Sequence, residues 1–142
     1  LLEDCNYQNF TGARFDSDDY DVVVNGHLKK SQGKGFRAFL NTIFVIAIQE
    51  LLEKYGKYNP GLLVVDSPIL SLKEKEDHIG EEHMSETMKI GLFKYLLLHQ
   101  DSRQTIIIEN EIPNLDYSSA HIEEFTKDEN RGRYGLITGY RD

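Results

Sequence analysis

Apolar residues along this chain fall into two spacings. Phe36, Phe39, Leu40, Ile43, Phe44, Ala47, Ile48, Leu51 and Leu52 recur at intervals of three and four, which predicts a helix. Val45 and Ile46 carry the apolar surface further around, so the middle of this helix is expected to be buried on most sides. Gly56 and Pro60-Gly61 stop it. Residues 62–65, LLVV, then run without alternation into Asp66, with Pro68 just beyond. Such a run predicts an interior strand covered on both faces, as in a parallel sheet. A second helix is expected over 82–99, with Met84, Met88, Leu92, Tyr95 and Leu96 on one stripe and Phe93 and Leu97 beside it. QTIII at 104–108 reads as a second buried strand, and strand–helix–strand predicts a right-handed βαβ unit.

The flanks are less regular. Residues 1–10 fit either a helix end or the start of a strand. Residues 13–24 predict a β-hairpin with Asp16 to Asp19 in its turn, and Asn25-Gly26 marks a further turn. HLKKSQGKG is expected to be a loop, as is the charged stretch 71–82. Residues 120–126 and 133–138 are expected to form two short strands about the polar turn DENRGR. The predicted fold class is α/β in a single domain of 142 residues: a mainly parallel sheet flanked by helices, with β-hairpin additions.

Composition narrows the classes. No charge-free run reaches about 18 residues, so a membrane span is not expected, and no basic-then-apolar leader is visible. Cys5 is alone and cannot form an internal disulfide, which with the missing leader suits a cytoplasmic setting. A net charge of −8 gives nucleic-acid binding no support. The small basic cluster Lys29, Lys30, Lys34 and Arg37 is either a solvated loop or a phosphate contact, and the neighbouring glycines favour the contact. The chain opens Leu1-Leu2 rather than with methionine, so a fragment of a longer protein is expected.

The chemistry concentrates between Ser31 and Asp66. In Ser31, Gln32, Gly33, Lys34 and Gly35 the glycines let backbone N–H groups approach an anion, and the helix behind adds a favourable dipole. Ser31 could add a hydroxyl and Lys34 a charge. A Walker A loop, G-x-x-x-x-G-K-[ST], occurs nowhere in the chain. Asp66 stands at the end of an apolar strand, where a carboxylate either holds Mg²⁺ beside phosphates or caps the next turn. The acidic turn lacks the glycine and glutamate spacing of a calcium loop. His78, Glu81, Glu82 and His83 could supply zinc ligands, but the H-E-x-x-H spacing is absent, and acidic residues in a first helical turn follow from the helix dipole alone.

Taken in order, the loop S-x-G-x-G, long apolar helix, apolar strand ending in Asp, following Pro, helix and second apolar strand resemble the C-terminal half of an ABC-type ATPase head. The resemblance is to SMC-like heads of DNA-repair or defence ATPases and covers roughly residues 20–112. It implies a signature loop at 31–35, a Walker B strand at 62–66, a D-loop at 67–72 and a switch position at Glu109-Asn110. It further implies that Ser31 and the glycines meet ATP held by a partner subunit, that Asp66 positions Mg²⁺, and that ATP joins two heads. The implied partners are an N-terminal half carrying the Walker A loop, a second copy of the chain, and DNA.

Two residues depart from that pattern. Ser67 stands where the family has the Glu that polarises the attacking water, and Asn110 where it has a His. A serine is a poor base at neutral pH, so Glu109, ending the neighbouring strand, is the expected replacement. Two other readings stay open: a lobe that dimerises or scaffolds without hydrolysis, and a metal-dependent nuclease or hydrolase built on Asp66, Glu109 and Glu111.

Overall fold

The computed structural model describes residues 1–69, 79–100, 103–128 and 130–137. The elements run β1 (Ala13–Asp16), β2 (Asp21–Val24), β3 (His27–Leu28), α1 (Lys34–Tyr55), β4 (Leu62–Asp66), α2 (Ile79–Leu98) and β5 (Gln104–Ile108), with a 3₁₀ turn at Lys29–Ser31. β1, β2 and β3 form an antiparallel sheet in that order, and β4 pairs with β5 in parallel. The class is therefore mixed α/β. The sheet is not mainly parallel: of the two sheets described, the larger is antiparallel and the parallel one has two strands.

Local chemistry explains the joins. Asn25 (φ 52°) and Gly26 (φ 80°) take up the two positive dihedrals of a tight hairpin turn, which folds β3 back on β2 where a loop was expected. α1 ends at Gly56, whose N–H donates to the Leu52 carbonyl at 2.8 Å. The turn into β4 is pinned by one side chain: Asn59 Oδ1 accepts from Gln49 Nε2 and from the Gly61 N–H, each at 3.0 Å. The Gly61 carbonyl then accepts from the Gln104 N–H at 2.8 Å, starting the parallel ladder.

The core joins α1, α2 and the N-terminal segment. Phe39, Leu40, Ile43 and Ile46 of α1 pack with Met88, Leu92, Phe93 and Leu96 of α2, and with Leu2, Cys5 and Tyr7. Fully burying each such side chain contributes about 1.5–3 kcal/mol. The ambiguous first ten residues are thus neither helix nor strand but turns that seat three apolar residues in the core. Burial pushes the Cys5 thiol up to about 12, in keeping with an inert cysteine.

The expected coverage of α1 and β4 is not met. Val45, Ile48 and Leu51 are exposed, so α1 is buried on one side only. By length and composition Gly35–Tyr55 could cross a membrane, yet its inner stripe belongs to this core. On the parallel sheet Leu62 (46% exposed), Val64 (53%), Ile106 (40%) and Ile108 (54%) share one face. Nothing described covers that face, although parallel sheets ordinarily bury both. The two strands expected in the tail reduce, among the described residues, to a single bridge between Phe125 and Arg133.

Candidate functional site

The parallel pairing of β4 with β5 brings two predicted acids to one sheet edge. The register is Leu62 with Gln104 through Asp66 with Ile108, so Glu109 follows directly beside the Asp66 end. The ladder continues one step beyond the strands, because the Ser67 N–H donates to the Ile108 carbonyl at 2.8 Å. Side chains alternate along a strand. Asp66 therefore shares the uncovered face with Val64 and is exposed, whereas Glu109 turns toward the packed side and is half-buried. The two acids share an edge but not a face.

Each acid has a distinct set of partners. Asp66 Oδ1 accepts a hydrogen bond from Ser67 Oγ at 2.8 Å. Glu109 Oε1 accepts from the Asn110 N–H at 2.9 Å, while Glu109 Oε2 is buried with no hydrogen-bond partner. A buried carboxylate oxygen without a donor is costly, and among the described residues this atom keeps unused acceptor capacity. Ser67 has φ 48°, a left-handed conformation that is uncommon for a non-glycine residue and clusters at functional turns. Pro68 and Ile69, both buried, anchor the chain directly after it. Residues 70–72 of the expected D-loop lie outside the described residues.

An exposed Asp at a strand end fits Mg²⁺, which takes one or two carboxylates and keeps water and phosphate oxygens as its other ligands. A ready-made protein cage is another matter. Among the described residues no three His, Cys, Asp or Glu side chains stand close enough to hold a metal, so Asp66, Glu109 and Glu111 are not gathered as a ligand set. His78 and the side chains of Glu81, Glu82 and His83, the zinc candidates, lie outside the described residues.

The glycine loop is more ordered than a loose glycine stretch suggests. Ser31 closes the 3₁₀ turn, and its Oγ donates to the Leu28 carbonyl at 2.7 Å. Gln32 Oε1 accepts from the Tyr7 hydroxyl at 3.3 Å. Gly33 is the N-cap of α1, and no side chain caps that end. Lys34 and Gly35, expected in the loop, open the helix instead. With no side-chain cap, backbone N–H groups of the first turn keep donor capacity for an anion.

Two of the four residues in the basic cluster, Lys29 and Lys30, make internal pairs. Lys29 Nζ lies 3.2 Å from Asp21 Oδ1 and donates to Asn41 Oδ1 at 2.7 Å. Lys30 Nζ pairs with Asp19. Asp21 is buried, which opposes its ionisation. Hydrogen bonds from the Lys30 and Val22 N–H groups and from Lys29 outweigh that burial and hold the carboxyl below its ordinary value. Lys30 thus neutralises Asp19 of the acidic turn, and Lys29 neutralises Asp21 at the start of β2.

A second group escaped the sequence reading. The Arg103 side chain, 2% exposed, bridges Glu50 at 3.4 Å and Glu53 at 3.2 Å on α1. Tyr95 of α2 donates to Glu50 Oε1 at 2.5 Å, and burial, reinforced by Glu50, raises its phenol. The i, i+3 spacing of the two glutamates was the available signal, but their partner lies some 50 positions away. This group sits at the starting end of β5, opposite the Asp66 edge, and joins both helices to the parallel sheet. Compared with known protein families, with curated proteins and with solved structures, the chain matches none.

Proposed function

We propose that this chain forms the signature-loop and Walker B half of an SMC-like ABC-type ATPase and hydrolyses ATP once a half bearing the phosphate-binding loop completes it. The observation that carries this reading is the parallel register that sets Asp66 and Glu109 at the same sheet edge, together with a helix that opens within S-x-G-x-G. Asp66 offers a hard oxygen for Mg²⁺, which when bound neutralises charge on the phosphates. Glu109 Oε2, buried and without a donor, accepts the proton of the water that attacks the γ-phosphorus as the bond to the β-phosphate oxygen breaks. Within the loop Ser31, Gln32, Gly33, Lys34 and Gly35, the N–H groups of the first helical turn and the Ser31 hydroxyl lone pair meet nucleotide held by a second copy, while the Gln32 N–H stays on the Lys29 carbonyl. The uncovered sheet face supports completion by another half, since parallel strands need cover on both sides. A dimer joined through ATP and a cytoplasmic setting belong to the same proposal, as does DNA, which rests on the resemblance alone.

The test is ATP turnover by the intact protein carrying Glu109→Gln. Phosphate release should fall by about 10²–10⁴-fold with ATP binding kept, and Asp66→Asn should weaken Mg²⁺-dependent binding. Normal turnover by Glu109→Gln sinks the assignment.

A second reading has one specific observation behind it: the position after Asp66 carries a hydroxyl already bonded to Asp66. A lobe that binds ATP and dimerises without hydrolysis would show ATP-dependent association and no phosphate release.

A further inference from the structure

The N-terminal segment, the β2–β3 turn and the start of α1 line an open cleft of about 370 Å³. That is the size of a small-molecule pocket. Its lining includes Tyr7 and Phe36, whose rings meet edge-on at 6.1 Å, with Gln8, Asn9, His27 and Gln32 around them. Tyr7 is buried, and its hydroxyl is directed to Gln32 Oε1. Among the described residues Gln32 Nε2 has no partner. The side-chain amides of Gln8 and Asn9 and the His27 ring likewise make no hydrogen bond or ion pair among the described residues. In the loop beside the cleft, the Lys29 and Lys30 ammonium groups are paired with Asp21 and Asp19.

A ligand suited to these walls is flat enough to lie on an aromatic ring and bears donors and acceptors together on its edge. That is the chemistry of a nucleobase: aromatic rings stack on it, and a side-chain amide both donates to and accepts from a purine edge. We propose that this cleft is a binding site for a purine or purine-like heterocycle, with Phe36 as the apolar platform and Gln32 as the group that reads its edge. The site needs no phosphate and does not rest on the ATPase reading.

Isothermal titration of the full chain with adenosine tests it. One-site saturable binding is expected, with a Kd at or below about 1 mM. Gln32→Leu should weaken binding at least about tenfold while leaving the melting temperature close to that of the parent, because Gln32 is only partly buried. Phe36→Ala should weaken it comparably. Ribose alone, which has the sugar and no base, should give no binding heat. Absence of saturation, unchanged affinity in Gln32→Leu, or ribose binding as well as adenosine would each overturn the proposal.

Discussion

Gly91 of α2 lies directly against the backbone of Cys5: a methyl group at Gly91 would sit 2.5 Å from the Cys5 carbonyl carbon and 2.6 Å from its oxygen. The N-terminal turn can bury Leu2, Cys5 and Tyr7 against α2 because this helix carries no side chain at that point.

Gly91→Ala should therefore be destabilising although alanine favours helix. The obstructing atoms are backbone and cannot swing aside, so a cost of about 1–3 kcal/mol is expected. The control is Gly12→Ala, which meets nothing within 4 Å and should change stability by no more than about 0.5 kcal/mol. Denaturant midpoints of the two variants decide it. Equal midpoints would mean that the N-terminal turn does not dock as described.

Arg103 holds two carboxylates from a nearly fully buried position, with its Nε left without a partner. Arg103→Met should cost about 3 kcal/mol, most of it from leaving Glu50 and Glu53 close together without their shared cation. Adding Glu50→Gln and Glu53→Gln to that variant should restore part of the loss. A triple variant no more stable than Arg103→Met would place the cost in packing instead.

Asp21 links stability to acid pH. Its folded value lies below the ordinary 3.8. A depressed carboxyl contributes stability that is complete above the unfolded value and is lost as pH falls through the folded one. Stability should thus hold above about pH 4 and decline below it. Asp21→Asn should lower stability at neutral pH and flatten that acid-side decline. Unfolding measured from pH 2 to pH 7 checks both effects, and parallel curves for parent and variant would remove Asp21 from the linkage.

Val64 and Ile106 lie opposite each other on the uncovered sheet face. The double change Val64→Lys with Ile106→Lys should leave the fold within about 1 kcal/mol of the parent, since neither side chain is in the core. It should also abolish any concentration-dependent association seen by sedimentation. An undiminished association would show that the contact lies elsewhere.

Much of the fold was legible along the chain because its signals are local. The spacing of Phe36, Phe39, Leu40 and Ile43 is enough to specify α1, and the continuous runs LLVVD and QTIII specify two strands separated by a helix. Periodicity, however, reports that a residue is apolar and not whether anything covers it. Val45, Ile48, Val64 and Ile108 read as core and stand in solvent, because cover comes from other elements. The two residues of β3 were too short to carry a pattern.

The site divides in the same way. Sequence alone determined the order of loop, helix, strand and acid, and marked Asp66 and Glu109 as strand-end carboxylates. Tertiary structure decided the parallel register that sets them at one edge, the pleat that turns them to opposite faces, and the burial that leaves Glu109 Oε2 without a donor. It also paired Lys30 with Asp19 of the acidic turn and Lys29 with Asp21, and Arg103 with glutamates some 50 residues away. Those contacts depend on distance in space between residues far apart in the chain, and no local spacing encodes that distance.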